Sequence, residues 1–131
     1  MINRIKISSG VKWEDIVGYC RAIKIDDRIL ISGTTSIENG KIVGENDFYL
    51  QTKTILKKIE NVLKEAGSKI EDVVRTRMYV TDISKWEDVG RAHGEFFHKI
   101  KPVTSMIQVS AFIDEKMLVE IEAEAITGSE S

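Results

Sequence analysis

An α+β fold, with elements in the order ββαβαββ and two helices covering one face of a single sheet, is what this 131-residue sequence predicts. Three observations carry that expectation. The stretch from Asp47 to Ala66 repeats apolar residues at helical spacing, and the stretch from Ser84 to Ile100 does so again. Around them lie short runs in which apolar and polar residues alternate, as strands require. One domain spanning residues 1–131 is long enough to bury a core without staples.

Taken in order, Gly18 to Gly33 reads as a hairpin, Tyr19–Ile25 and Arg28–Ser32 flanking the turn residues Asp26 and Asp27. Asn39-Gly40 marks a second tight turn. The first helix runs from Asp47 to Ala66, with Thr52, Ile55, Leu56, Ile59, Val62, Leu63 and Ala66 as its stripe and Gly67 as its stop. Val73 to Thr81 follows as a strand. Ser84-Lys85-Trp86-Glu87 has the form of a capping box opening the second helix. Trp86, Val89, His93, Phe96, Phe97 and Ile100 are the residues expected on its buried side, and Pro102 blocks continuation. Thr104–Phe112 and Met117–Ile126 complete the sheet.

The sheet face away from the helices is unusual. Glu120, Glu122 and Glu124 stand two residues apart, so a strand sends all three carboxylates to one side. In VVRTRMYVT, Val74, Thr76, Met78 and Val80 suit the helix side, which turns Arg75, Arg77 and Tyr79 the other way. A solvated sheet face is the plain explanation. Two arginines on one strand and three glutamates on another favour a partly buried, internally paired surface, which in a small domain means oligomerisation through the sheet.

Composition narrows the function. The chain is 42% hydrophobic and 31% charged, with a net charge of −2 that offers no general attraction to nucleic acid or anionic lipid. No apolar run approaches a membrane span of about 20 residues. A single cysteine, Cys20, excludes an internal disulfide, and two histidines provide no metal-ligand spacing. The expectation is a cytoplasmic protein with no metal, no cofactor, and neither nucleic acid nor membrane as partner.

The stretches RTRMYVTDISKWEDVGRAHGEFF, KPVTSMIQVSAF, VEIEAEAI and GYCRAIKIDDRILISG together resemble the Rid superfamily, the RidA/YjgF proteins also called endoribonuclease L-PSP-like. The resemblance runs from about Gly18 to Ile126. It implies a chorismate-mutase-like fold assembled as a homotrimer, with the sheets forming a central barrel and three small-molecule clefts between subunits. In the deaminase branch each cleft hydrolyses reactive enamine or imine intermediates and releases ammonia.

Carried over by position, the family's tyrosine falls on Tyr19, its serine on Ser32 beside Gly33, and its water-positioning glutamate on Glu120. The residue that offers a backbone carbonyl to the water corresponds to Met106. Two positions depart from the family type: its asparagine falls on Gly90, and the arginine that grips a substrate carboxylate falls on Thr104. Threonine cannot make the bidentate, charge-assisted contact of a guanidinium. Arg77 is the replacement that strand phase suggests.

Glu120 is the expected acid–base residue, since one carboxylate near the water can take a proton from it and deliver one to the departing amine. The competing role for Glu120 is a structural ion pair with Arg75 or Arg77. Tyr19 and Ser32 have plain packing and turn roles as their alternative, Cys20 reads as a small buried hydrophobe, and His93 as a core or interface histidine. RNA cleavage is set aside, because the chain is slightly acidic and its expected cleft holds glutamates where phosphate needs cations. Three functions stand: hydrolysis of an imine-like nitrogenous metabolite, a non-catalytic trimer that senses a small molecule or binds a partner, and ketone- or enol-type chemistry on a different substrate.

Overall fold

The structure, a computed structural model, describes residues 2–129. Its strands are β1 (Arg4–Ile7), β2 (Ala22–Ile25), β3 (Arg28–Thr34), β4 (Ile37–Glu38), β5 (Lys41–Ile42), β6 (Val73–Val80), β7 (Val103–Gln108) and β8 (Val119–Ile126). Its helices are α1 (Lys12–Val17), α2 (Phe48–Glu65) and α3 (Trp86–Phe97). Six strands form one sheet in the order β1-β2-β3-β8-β6-β7, and β4 pairs with β5 in a separate small hairpin. Only β6 and β7 are parallel, because α3 carries the chain back between them; the other neighbours are antiparallel.

α2 and α3 pack side by side on one face of this sheet. Ile55, Leu56, Ile59 and Leu63 of α2 and Val89 and Phe97 of α3 meet Ile29, Met78, Val80, Val119 and Ile121 of the strands in a continuous buried core. The fold is the expected α+β arrangement. Asp47 caps α2, its carboxylate accepting from Leu50 N–H at 2.9 Å, and Gly67 takes the left-handed conformation (φ 79°) past the helix end. Buried Gln51 joins the stripe because its amide donates to Gly44 O and Lys116 O and accepts from Leu118 N–H.

Several local expectations are corrected. β1, α1 and the strands β4 and β5 were not anticipated, although the expected tight turn at Asn39-Gly40 joins the last two; those strands are only two residues long, and α1 has just six. The first expected strand begins at Ala22 rather than Tyr19, because α1 and its left-handed Gly18 occupy the chain just before. β7 ends at Gln108, not Phe112.

The capping box at Ser84 does not form. Asp82 does the capping, its carboxylate accepting from Ser84 N–H and Ser84 Oγ–H, and a short 3-10 turn at Ile83–Lys85 precedes α3. Trp86 is therefore at the helix start and 56% exposed instead of buried. On β6 it is Val73, not Val74, that enters the core; a one-residue bulge between Val73 and Arg75 opposite β8 shifts the strand phase.

Candidate functional site

β8 and β6 set Glu120 apart from its neighbours. In register, Glu120 faces Tyr79, Glu122 faces Arg77 and Glu124 faces Arg75, all on the face away from the helices. The polar contacts run one step diagonally. Tyr79 Oη donates to Glu122 at 2.7 Å, Arg77 lies 3.4 Å from Glu124, and Arg28 approaches Glu124 at 3.7 Å. Glu120, at the end of this ladder, receives no hydrogen bond among the described residues. Burial and the nearby Glu122 push its carboxyl above the ordinary range, and Arg21 opposes them.

The strand on the other side of β8 explains where Glu120 goes. Ile31 pairs with Ala123 but Thr34 pairs with Ile121, so β3 carries one extra residue at Ser32-Gly33. Such a bulge re-aims the chain locally. The Glu120 side chain lies directly over Gly33: a Cβ there would stand 2.7 Å from Glu120 Oε2 and 2.8 Å from its Cδ. Glycine is needed for this close approach, independent of any backbone strain.

The same bulge collects further polar groups. Ser32 Oγ donates to Cys20 O at 2.7 Å, leaving its lone pairs free to accept. Arg21, 8% exposed, donates from Nη2 to Gly33 O at 2.8 Å and lies 5.9 Å from the centre of the Tyr19 ring. Tyr19 is placed by the end of α1, where its N–H and that of Gly18 both donate to Glu14 O. The Glu14 carboxylate in turn holds the loop before α1 through Ser8 and Ser9.

Tyr19, Arg21, Gly33, Lys58 and Glu120 line one cleft of about 820 Å³, with Trp13 and Met117 among its apolar walls. Burial, with a smaller push from Arg21, lowers Lys58 to about 8. Its ammonium donates to Thr35 O at 2.7 Å and Ile37 O at 2.6 Å, which makes it a clamp on that loop rather than a free nucleophile.

The remaining sequence-predicted residues form a second group elsewhere. Thr104 pairs with Thr76 and Met106 with Met78, and Thr76 and Met78 are buried on the helix side. Thr104 therefore lies on the opposite face of the sheet from Glu120. Its Oγ1 is 2.7 Å from Thr76 Oγ1, which is 2.9 Å from His93 Nε2. Gly90 sits one turn before His93 on α3, and a side chain there would meet only the Trp86 ring at 3.9 Å. β7 is an edge strand. Val109 N–H donates to Val80 O, so the alternation along the strand turns the N–H and C=O groups of Thr104 and Met106 to the open edge.

The structure thus brings Tyr19, Ser32, Gly33 and Glu120 together and leaves Gly90, Thr104 and Met106 in a separate cluster. Arg77 belongs to neither, being beside Glu124. Arg21 was missed, although its position two residues after Tyr19 was a usable signal. Thr76 and His93 as neighbours of Thr104 were missed because only the β6–β7 register joins them.

Comparison with known proteins agrees with this fold. The family described as Endoribonuclease L-PSP matches residues 10–127. The crystal structure of Rv2704 from Mycobacterium tuberculosis, a member of the YjgF/YER057c/UK114 family, superposes with a TM-score of 0.87 at 46% identity, covering 95% of this chain and 100% of that one. A RutC family protein of Pyrococcus abyssi is 33% identical over 80% of this chain and 83% of its own. A 3-aminoacrylate deaminase, RutC of Acinetobacter baylyi, is 27% identical over 82% and 85% respectively. On its sequence, its α+β fold and these likenesses, the chain belongs to the endoribonuclease L-PSP family of the YjgF/Rid superfamily.

Proposed function

We propose that this protein is a homotrimer that takes a small metabolite into clefts between subunits and hydrolyses a reactive imine or enamine there, with Glu120 as the acid–base residue. One observation carries the reading. Glu120 is a half-buried carboxyl with a raised pKa, unclaimed by the tyrosine hydrogen bond that holds Glu122 or the ion pairs that hold Glu124, and seated on a glycine bulge beside Tyr19 in a cleft. The similarity to a 3-aminoacrylate deaminase supports the reaction class.

The chemistry needs few groups. Water adds to the C=N carbon while the Glu120 carboxylate accepts a proton from it, and the nitrogen takes up a proton from solvent. The tetrahedral adduct then breaks its C–N bond as Glu120 returns its proton to nitrogen and the adduct's hydroxyl releases its proton to solvent, leaving a carbonyl compound and ammonia. Tyr19 lines this cleft as an orienting group, while Ser32 lines the adjoining one that Tyr19 also borders. The separation of the two clusters supports a site shared between copies. Glu120 and Thr104 lie on opposite faces of one chain's sheet, so a cleft containing both takes them from different copies.

The test generates imines in situ in two series, from amino acids with an amino-acid oxidase and from primary amines with an amine oxidase. Expected is faster loss of imine in at least one series, reduced about 10²-fold or more by Glu120→Gln. An intact trimer that accelerates neither series would remove the hydrolase reading. Thr104 and Gly90, which depart from the family's arginine and asparagine, favour the second reading in that event: a sensor or partner-binding trimer.

A further inference from the structure

We infer that the β7 edge selects a ligand whose far end is a neutral carbonyl or carboxamide rather than a carboxylate, and that Thr104, with Thr76 and His93 behind it, is the specificity-determining group. The inference rests on the cleft location proposed above and names what that cleft accepts.

Three features of the edge lead there. First, the group at its centre is uncharged. Thr104 Oγ1 touches Thr76 Oγ1 at 2.7 Å, and Thr76, fully buried, touches His93 Nε2 at 2.9 Å. The imidazole packs on Phe97 with ring centres 4.6 Å apart, and burial holds its pKa down at about 4. At neutral pH all three members are neutral, so nothing in the chain compensates an anion.

Second, the chain is adjustable. Thr76 has one hydroxyl proton and two polar neighbours. If His93 Nε2–H donates to Thr76, then Thr76 donates to Thr104, and the Thr104 proton points outward. If Nε2 instead accepts from Thr76, then Thr104 donates inward and offers only lone pairs outward. The tautomer of a half-buried imidazole thus decides whether Thr104 presents a donor or an acceptor. Passing a net proton along the chain would charge the half-buried imidazole, which its low pKa opposes. The chain therefore acts as a neutral, reversible hydrogen-bonding device.

Third, the backbone beside it offers both kinds of partner. The N–H and C=O groups of Thr104 and Met106 at the open edge are donors and acceptors together. A carboxamide, with its own donor and acceptor, matches such an edge. A carboxylate has acceptors only and would face carbonyl oxygens unpaired.

Pyruvate and pyruvamide, nearly isosteric and differing in charge, are the probes, followed by NMR on the 131-residue chain. Its two histidines make the His93 imidazole simple to assign against exposed His98. Expected is binding of pyruvamide at least about tenfold tighter than pyruvate, with shifts at the Thr104 and Met106 amides and at the His93 ring nitrogens. Thr104→Val should remove the His93 response, and Thr104→Ser should keep it. Thr104→Arg should reverse the preference and serve as the positive control for pyruvate.

Equal or tighter pyruvate binding by the wild type overturns the inference. So does absence of pyruvamide binding at concentrations where Thr104→Arg binds pyruvate, or an arginine variant that gains nothing for pyruvate. Failure of imine hydrolysis with the amide preference intact would count against the reaction alone.

Discussion

Glu120 is where a single side chain decides chemistry, and its environment makes two measurable demands. Its folded-state pKa is raised, by burial first and by Glu122 second. A raised carboxyl contributes stability that is present below the unfolded value of 4.5 and lost as pH climbs through the folded value. Near neutral pH the ionised Glu120 therefore costs stability. Glu120→Gln is expected to raise the urea midpoint at neutral pH, and this gain should vanish below pH 4.5; a gain independent of pH would contradict it. Gly33→Ala addresses the same geometry from the other strand. The new Cβ collides with the flexible end of Glu120. The fold should survive with a change of about 1 kcal/mol or less. Imine hydrolysis should fall at least about tenfold, measured beside the wild type.

Among elements, the contact of α3 with β6 and β7 has its own pH signature. His93 is held neutral by burial, with a pKa of about 4 against 6.5 when unfolded. Between these values the unfolded chain binds more protons, so stability falls as pH drops from 6.5 toward 4, by up to about 3 kcal/mol. Glu120 works in the opposite direction over part of this range, so the effect is read as a difference between variants. His93→Gln keeps a polar partner for Thr76 but does not titrate; denaturant unfolding across this window should show a shallower acid loss than the wild type. Equal slopes would mean that His93 protonates freely in the fold. The bulges belong to this scale too. The one at Ser32-Gly33 aims the site, and the one at Val73 redirects β6, yet an alternating pattern read from sequence passes straight over both.

For the whole molecule, exposed large apolar side chains lie on the β7 edge and on segments near the cleft, as well as on β1 at the opposite edge. Val103 is 56% exposed, Ile107 47%, Ile113 70% and Ile16 71%, values expected of surfaces that meet another copy. Light scattering should give about three times the 14.8 kDa chain mass. Ile107→Arg, which places a charge on that edge, should shift the population to monomer and with it abolish hydrolysis. A monomeric wild type would end the intersubunit model.

The two long helices, the α+β class and the acidic face of β8 were legible in the residue pattern alone, because helical and strand periodicities are local properties that neighbouring residues report directly. The sequence also singled out Tyr19, Ser32, Gly33, Glu120 and the substitution at Thr104, through short motifs at matching spacing. Tertiary structure decided what those residues do to one another. Strand register put Thr104 and Glu120 on opposite faces, a bulge aimed Gly33 at Glu120, and the β6–β7 pairing joined Thr104 to a half-buried histidine through Thr76. Register and bulges come from contacts between segments far apart in the chain, and no local pattern records them.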